Sequence, residues 1–461
     1  MNQEISSEIL AWSTQQWGSA QLGDRRRTKR AVTLGAQFAA QPAASIPTQT
    51  GSWAATKAAY LLLNEEDVTH AALSQGHWET TRQGARLSSG VVLFIQDGTE
   101  LDYTQHPKTS GLGRLNETHR QGFLLHSCLA VQLANHELGL AAQKVWTRAE
   151  RVHCRSEDKR ARSLRDNEAD VWAETLSAIG PAPAGASGVR WVSVGDRASD
   201  IYGYLRQAQA LGWEVVARAC QDRVIQTLSG ERQHLMQWAR SLPAGATKTV
   251  TLRGRDGKPK RTVELQVAWG ECDIQPPHEG KERFGPPLRV SVVRCWEAAP
   301  AVGTEGLEWV LLTSLVVREA ATALLIIEWY EHRWLIEEYH KCLKTGCAIE
   351  QRQLTSAQSL QACLGFLALI AVRLLQLRET SRQTPAQPAH YTVEASLIET
   401  VQRYFRLPPA ALTVREFWRL VARLGGFLGR KSDGDPGWQT LWRGWLRLQD
   451  LAWRSTDEKC G

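Results

Sequence analysis

Five consecutive apolar residues, Val91-Val92-Leu93-Phe94-Ile95, lead into Gln96 and Asp97. A short run without polar alternation reads as a strand buried on both faces, and such a strand belongs inside a layered sheet. Leu124 to Leu133 and Leu140 to Trp146 read as two further strands, joined by the turn Asn135-His136-Glu137. Asn167 to Ile179 then reads as helix, Trp191 to Val194 as strand, Ser199 to Leu211 as helix and Trp213 to Ala219 as strand. Three strands in succession, followed by alternation with helices, predict a mixed α/β sheet.

The flanks read differently. Residues 1 to about 70 are helical in pattern, with Asp24, Ser52 and Asp67 as helix caps. After Ala219 comes a β-rich stretch. Thr249 to Leu252 and Arg261 to Val267 alternate cleanly around Asp256-Gly257-Lys258-Pro259, a hairpin signal. Leu288 to Val293 and Trp309 to Thr313 add strands, with a Pro/Gly/charge loop from Asp273 to Pro287 between hairpin and strands. A charged helix is expected from about Ala320 to Lys344, then an apolar one from Gln358 to Glu379. The core of the latter carries Gln361, Arg373 and Gln376, which suits a buried helix better than a membrane span. Residues 381 to 388 read as a linker. Residues 391 to 461 hold Phe417, Trp418, Phe427, Trp438, Trp442 and Trp445, which either pack on the body or form a partner interface.

The charged helix carries the densest chemistry. Tyr330, Arg333, Glu337, Lys341 and Lys344 are spaced 3, 4, 4 and 3 apart, within about a quarter of a helix circumference. Trp329, His332, Ile336, Tyr339 and Leu343 follow the same rhythm on the face to be buried. A carboxylate amid cations suits a metal ion gripping a phosphate between its protein ligand and positive charge. Asp97 and Asp196 follow predicted strands, where ligand sites of α/β sheets gather. With Glu337 they form a candidate trio for hard divalent ions, which take oxygen ligands. Each also has a plain structural reading: Asp97-Gly98 as a turn, Asp196 or Ser199 as a helix cap, Glu337 as an exposed partner of Lys341.

Lys+Arg 55 against Asp+Glu 48 gives a net charge of +7, a mild excess whose clustering says more. Arg25, Arg26, Arg27, Lys29 and Arg30 form one patch. Arg253, Arg255, Lys258, Lys260 and Arg261 form a second, and Arg419, Arg423, Arg430 and Lys431 a third. Such patches suit a polyanion as well as a solvated surface. Nine cysteines without a C-x-x-C pair read as reduced thiols, and the N-terminus has no signal-peptide pattern. A cytoplasmic protein with no membrane partner is expected.

The segments Leu22 to Thr28, Asp97 to Tyr103, Gly195 to Ile201, Trp309 to Ser314, the Tyr330-Arg333-Glu337-Lys344 pattern and Ala422 to Phe427 resemble the bacterial DDE transposases of the insertion-sequence-four group, Tn-five-like in feel. The resemblance implies an α/β, ribonuclease-H-like mixed-sheet catalytic core with a β-rich insertion, flanked by helical N- and C-terminal domains. The implied boundaries are 1–70 for a DNA-end-binding domain, 71–380 for the catalytic domain with its insertion at about 221–318, and 391–461 for a dimerisation segment. It implies Asp97, Asp196 and Glu337 as catalytic residues and ligands of two Mg2+ ions, with Mn2+ able to substitute. Tyr330, Arg333, Lys341 and Lys344 would hold DNA phosphates. Trp309 would fill the place of a flipped base, or else be a core aromatic. Arg26, Arg27 and Arg30 would meet DNA in the N-terminal domain.

The implied activity is cut-and-paste transposition: nicking at inverted terminal repeats, hairpin formation and opening, and strand transfer into target DNA. The implied partner is a second copy in a synaptic homodimer. A non-catalytic end-binding regulator and a ribonuclease-H-like nuclease or resolvase are the alternatives, separable by metal-dependent nicking and by strand-transfer products.

Overall fold

The computed structural model describes residues 5–457 except 6, 118, 149–167, 186–187, 253–260, 278–284, 301–305, 383 and 431–432, with backbone alone for 453–457. The expected hairpin turn at 256–259 and the first four members of the second basic patch lie outside the described residues.

The chain opens with five helices: α1 (Ser7–Trp17), α2 (Arg25–Ala40), α3 (Ile46–Thr50), α4 (Trp53–Leu63) and α5 (His70–Leu87). Asp24 caps α2 by accepting from the Arg26 N–H at 2.7 Å, and Ser52 caps α4 through Ala55 at 3.2 Å. The third expected cap moves. Thr69, not Asp67, accepts from the Ala72 N–H at 3.1 Å. Asp67 instead pairs with Arg27, whose charge competes for it more strongly than a neutral N–H does.

Among the described residues twelve strands form one sheet: β1 (Gly90–Asp102), β2 (Gly113–Arg114), β3 (Gln121–Gln132), β4 (Glu137–Trp146), β5 (Val189–Gly195), β6 (Glu214–Arg218), β7 (Val224–Thr227), β8 (Arg232–His234), β9 (Ala246–Leu252), β10 (Arg261–Ile274), β11 (Leu288–Glu297) and β12 (Glu308–Thr313). Its order is β2-β3-β1-β5-β6-β12-β11-β10-β7-β8, with β4 on β3 and β9 on β10. The pairs β1–β5 and β5–β6 are parallel, and the other pairings are antiparallel. The run β4-β3-β1-β5-β6 is the ribonuclease-H-like core. The β-rich insertion extends this sheet: β12 covers the edge that β6 would otherwise leave unpaired.

β1 is buried on both faces, as its unbroken apolar run demands. Leu93 and Ile95 face one core, while Val92 and Phe94 face the other. The second face is covered by α6 (Val171–Ile179) and α7 (Tyr202–Ala210), and α8 (Leu235–Ser241) adds to the same cluster. The first is covered by α9 (Ala320–Glu331), α10 (Trp334–Lys341) and α11 (Ala357–Thr380). On length and composition α11 is apolar enough to cross a membrane, yet 78% of its apolar window is buried inside the protein.

Three C-terminal helices, α12 (Ala395–Phe405), α13 (Val414–Leu424) and α14 (Trp438–Asp457), enclose their own core around Val401, Phe417, Trp418, Val421 and Leu448. A Cβ on Gly444 of α14 would lie 1.8 Å from the Val421 carbonyl oxygen of α13, so only glycine permits this helix crossing. Trp438 and Trp442 reach back into the main core. For these two indoles, packing on the body is what the structure shows.

Candidate active site

β1 and β5 run side by side from Gly90↔Val189 to Ile95↔Val194. Asp97 and Asp196 each lie two residues beyond the last pair, so the backbone delivers two carboxylates to one end of adjacent strands. Asp196 does leave its strand there. Its Oδ1 accepts from the Ala198 N–H at 2.8 Å and caps a short 3-10 turn. Gly195 makes the exit possible: a Cβ there would stand 2.4 Å from the Ser199 Cβ and 2.8 Å from the Trp172 ring. Asp97, expected at a strand end, is mid-strand. β1 continues to Asp102 because β3 keeps pairing with it, Asp97 opposite Ser127. Only the pairing with β5 stops, and that opens one flank of Asp97.

The expected helix from Ala320 to Lys344 is broken. α9 ends at Glu331 and α10 starts at Trp334. His332 Nδ1 hydrogen-bonds the Glu328 carbonyl at 2.9 Å, the acceptor that an unbroken helix would give to the His332 N–H. That N–H turns to the Trp329 carbonyl, and the Arg333 N–H to Tyr330, at 3.2 and 3.0 Å. The i→i−3 bonds tighten the chain at the junction. A π-turn at Cys342–Gly346, closed by the Cys347 N–H on the Cys342 carbonyl at 2.8 Å, ends the element and holds Lys344.

This break changes the polar face. Tyr330 is only 4% exposed, its ring edge-on to Trp309 at 5.0 Å. Trp309 is half-buried on β12. Arg333 sits in the junction; its Nη2 donates to Glu337 Oε1 at 2.6 Å, and its Cζ lies 5.9 Å from the Tyr330 ring centre. Glu337 is exposed, as is Lys341. Lys344 is half-buried, 3.5 Å from Glu350, which also accepts from the Asp102 N–H on β1 at 2.9 Å.

Electrostatics show what has been gathered. Burial, then the neighbouring Asp196, pushes the Asp97 carboxyl from 3.8 up to about 7; Glu337 pushes the same way, against the Gly98 N–H and Arg333. Asp97 thus feels the charge of both Asp196 and Glu337, and Arg333, bonded to Glu337, acts on Asp97 as well. Burial opposes the charge on Arg333, but Glu337, Tyr330 and Asp97 outweigh it and raise the guanidinium. Burial raises the Tyr330 phenol, while Arg333 and a hydrogen bond with Arg218 hold it down and Asp196 adds to the rise.

Among the described residues no group of three or more His, Cys, Asp or Glu side chains is already set as a metal cage. Asp97, Asp196 and Glu337 would offer carboxylate oxygens alone, and Asp97 keeps a proton near neutrality because it is buried and faces the charge of Asp196. Hard divalent cations fit such a set.

Arg26, Lys29, Arg30 and Thr33 line an exposed face of α2. Arg27 does not share it: its guanidinium pairs with Glu65 and, at 2.8 Å, with Asp67. In the second basic patch, Arg261 is paired with Glu297.

Two residues of the site carried no role in the sequence reading. Arg218 ends β6, the parallel neighbour of β5, and its strand-end position next to Asp196 was the available signal. Asp200 lies four residues after Asp196 and is fully buried, which no local pattern betrays.

Three family models match the chain. Transposase DNA-binding covers residues 9–68, Transposase DDE domain 163–373, and Transposase Tn5 dimerisation domain 369–455. The DDE match contains Asp196 and Glu337, and Asp97 precedes it. DNA binding, dimer formation and dependence on a divalent metal are properties these domains bring. With the ribonuclease-H-like sheet and the three matches in chain order, the chain belongs to the DDE transposases of the insertion-sequence-four group and is an enzyme of DNA transposition.

Proposed function

We propose that the chain moves its element by cut-and-paste, using Asp97, Asp196 and Glu337 at one site for every step. The observation that carries this reading is the parallel register of β1 and β5, which sets Asp97 and Asp196 each two residues past Ile95↔Val194, with the charge of Glu337 felt at Asp97 as well. Two Mg2+ ions held by these carboxylates, or Mn2+ in their place, would supply activation of the attacking oxygen and charge relief at the leaving oxygen of an in-line displacement.

The chain's own groups position the DNA. Arg333 braces Glu337 and offers positive charge to the phosphate beside the scissile bond. Lys344, steadied by Glu350, and exposed Lys341 extend that charge along the strand. Trp309, edge-on to Tyr330, offers a ring face for an unstacked base at the element's end. Arg26 and Arg30 on α2 meet the terminal repeat, while the bonded Arg27 holds the domain's shape.

In this scheme water attacks at the element end and frees a 3′-hydroxyl. That hydroxyl attacks the opposite strand to form a hairpin, which water reopens. The new 3′-hydroxyls then attack target DNA within a synaptic dimer, in the bacterial cytoplasm. Each step is an in-line substitution at phosphorus, so one set of residues serves all.

The test uses Asp97→Asn, Asp196→Asn and Glu337→Gln with end-labelled terminal-repeat duplexes. Each variant should bind ends like the parent and lose nicking, hairpin and strand-transfer products together. Wild-type cleavage by any of them would remove that residue from the site.

A further inference from the structure

Arg352 lies far in sequence from the N-terminal domain and is buried against it, 3% exposed. Its Nη1 donates to the Ala44 carbonyl at 2.5 Å and to Gln49 Oε1 at 3.1 Å. Its Nη2 donates to the Pro42 carbonyl and, at 2.7 Å, to the Cys347 carbonyl. The guanidinium also sits 5.7 Å from the Phe38 ring centre, near the end of α2. One planar fork thus grips the exit of the basic helix and Cys347, the residue that closes the Lys344 turn. Gln49 is fixed in turn, its Nε2 donating to the Gln41 carbonyl at 2.7 Å.

The segment that carries Arg352 is tied on its other side to the strand of Asp97. Tyr103 donates its hydroxyl to the Ile349 carbonyl at 2.9 Å, and His106 Nε2 bonds the Glu350 carbonyl at 3.0 Å. Glu350 meets both Lys344 and the Asp102 N–H. Ala348, between these anchors, holds a left-handed φ of 49°. An alanine keeps that conformation only where its surroundings impose it. Residues 347–352 therefore form a rigid joint with three connections: the Asp97 strand, the Lys344 turn and the exit of α2.

We propose that Arg352 is a positioning residue that sets the distance between the DNA-reading surface of α2 and the active site, and so fixes which phosphate is cut. This rests on the reading of Asp97, Asp196 and Glu337 as the cutting site. The guanidinium suits this role because it donates in fixed directions to four acceptors, which an ammonium on a flexible stem cannot reproduce.

The test compares the full-length wild type with Arg352→Ala, Arg352→Lys and Gln49→Leu. The substrates are labelled duplexes of the element's own terminal repeat, unaltered or with one base pair inserted or deleted between the α2 contact region and the cut. The wild type should cut one phosphate and discriminate against the shifted duplexes. Arg352→Ala should bind the unaltered end within about threefold of wild type and cut it about 10²-fold more slowly, the scale of effect of ångström misplacement. Its cuts should spread to neighbouring phosphates, and its discrimination against shifted duplexes should collapse, with Arg352→Lys in between. A general loss of stability would slow cutting without moving the cut. Wild-type cut position and discrimination in Arg352→Ala, at any overall rate, would overturn the proposal. Should Arg352→Ala fail to fold, Gln49→Leu decides by the same two readouts. Glu337→Gln runs alongside: full cleavage by it sinks the underlying site reading, whereas an inactive Glu337→Gln beside an unchanged Arg352→Ala sinks only the positioning role.

Discussion

Asp97 and Asp196 occupy matching places at the end of the β1–β5 pairing, each two residues past the paired Ile95 and Val194. Parallel register makes this closeness a backbone property, and Gly195 lets the chain leave β5 there without a clash. Burial, and then the charge of Asp196, disfavour ionisation of Asp97. Once Asp97 ionises, above about pH 7, the arrangement holds unfavourable charge that a bound cation would relieve.

Stability should register that stored charge. The folded value of Asp97, about 7, lies above its ordinary 3.8. The folded chain thus keeps a proton that the unfolded chain releases between roughly pH 4 and pH 7. The contribution is fully present below that window and lost as pH rises through about 7. Without divalent metal, Asp97→Asn should therefore be more stable than wild type near pH 8, by up to about 4 kcal/mol. The two should converge near pH 4. Adding Mg2+ should raise the wild-type melting temperature more at pH 8 than at pH 6, because metal and proton compete. Thermal melts at several pH values check this, and a metal-free Asp97→Asn less stable than wild type at pH 8 would contradict it.

Arg333 neutralises Glu337 directly and Asp97 at longer range. Arg333→Ala should cut end cleavage about 10²- to 10³-fold, the usual scale for losing one aligned charged donor. It should also move the acidic limb of the pH–rate profile upward by about one unit, since Asp97 then holds its proton more tightly. Arg333→Lys should restore part of the limb's position but less of the rate. An unmoved limb would show that Arg333 serves DNA binding alone.

Tyr330 combines packing with chemistry, and two substitutions separate them. Removing the buried ring in Tyr330→Ala should cost about 3–5 kcal/mol, because Trp309 packs on it. Tyr330→Phe keeps that contact and loses only the hydroxyl that meets Arg218. It should melt near wild type while nicking slows. Equal loss of melting temperature in both variants would reduce Tyr330 to a core residue.

The legible parts of this molecule were those that local pattern controls. The apolar run at Val91 to Ile95 could only be a central strand, and the clean alternation of Arg261 to Val267 could only be a strand with one wet face. The break at His332 was not legible, since helical spacing cannot show that an imidazole will capture the Glu328 carbonyl. For the same reason Tyr330, polar by type and on the polar face by spacing, turned out buried. Arg27 looked equal to Arg26 and Arg30 until Glu65 and Asp67, about forty residues on, claimed it. Arg352 was invisible: its N-terminal acceptors lie more than 300 residues away, and its segment has no periodicity.

Asp200 shows how the second strand-end acid is held. Its side chain is fully buried and accepts from the Cys220 and Gln221 N–H groups at 2.8 Å each and from Arg223 Nε at 3.0 Å and Nη2 at 2.8 Å. The Ile201 and Asp200 N–H groups bond back to Ser199 and Arg197, so the carboxylate anchors the turn that Asp196 caps. The same carboxylate fixes the chain just after Arg218, the partner of Tyr330. Asp200→Asn would leave the buried Arg223 guanidinium without its counter-charge, at a cost of roughly 3–5 kcal/mol. Asp200→Asn combined with Arg223→Met removes both charges and should recover much of that stability. Cleavage should not recover with it, because the turn under Asp196 and the segment at Arg218 have lost their shared anchor. Melting temperature and single-turnover nicking, measured on all four members of this cycle, separate the two effects. Cleavage that tracks stability across the cycle would reduce Asp200 to an ordinary buried ion pair.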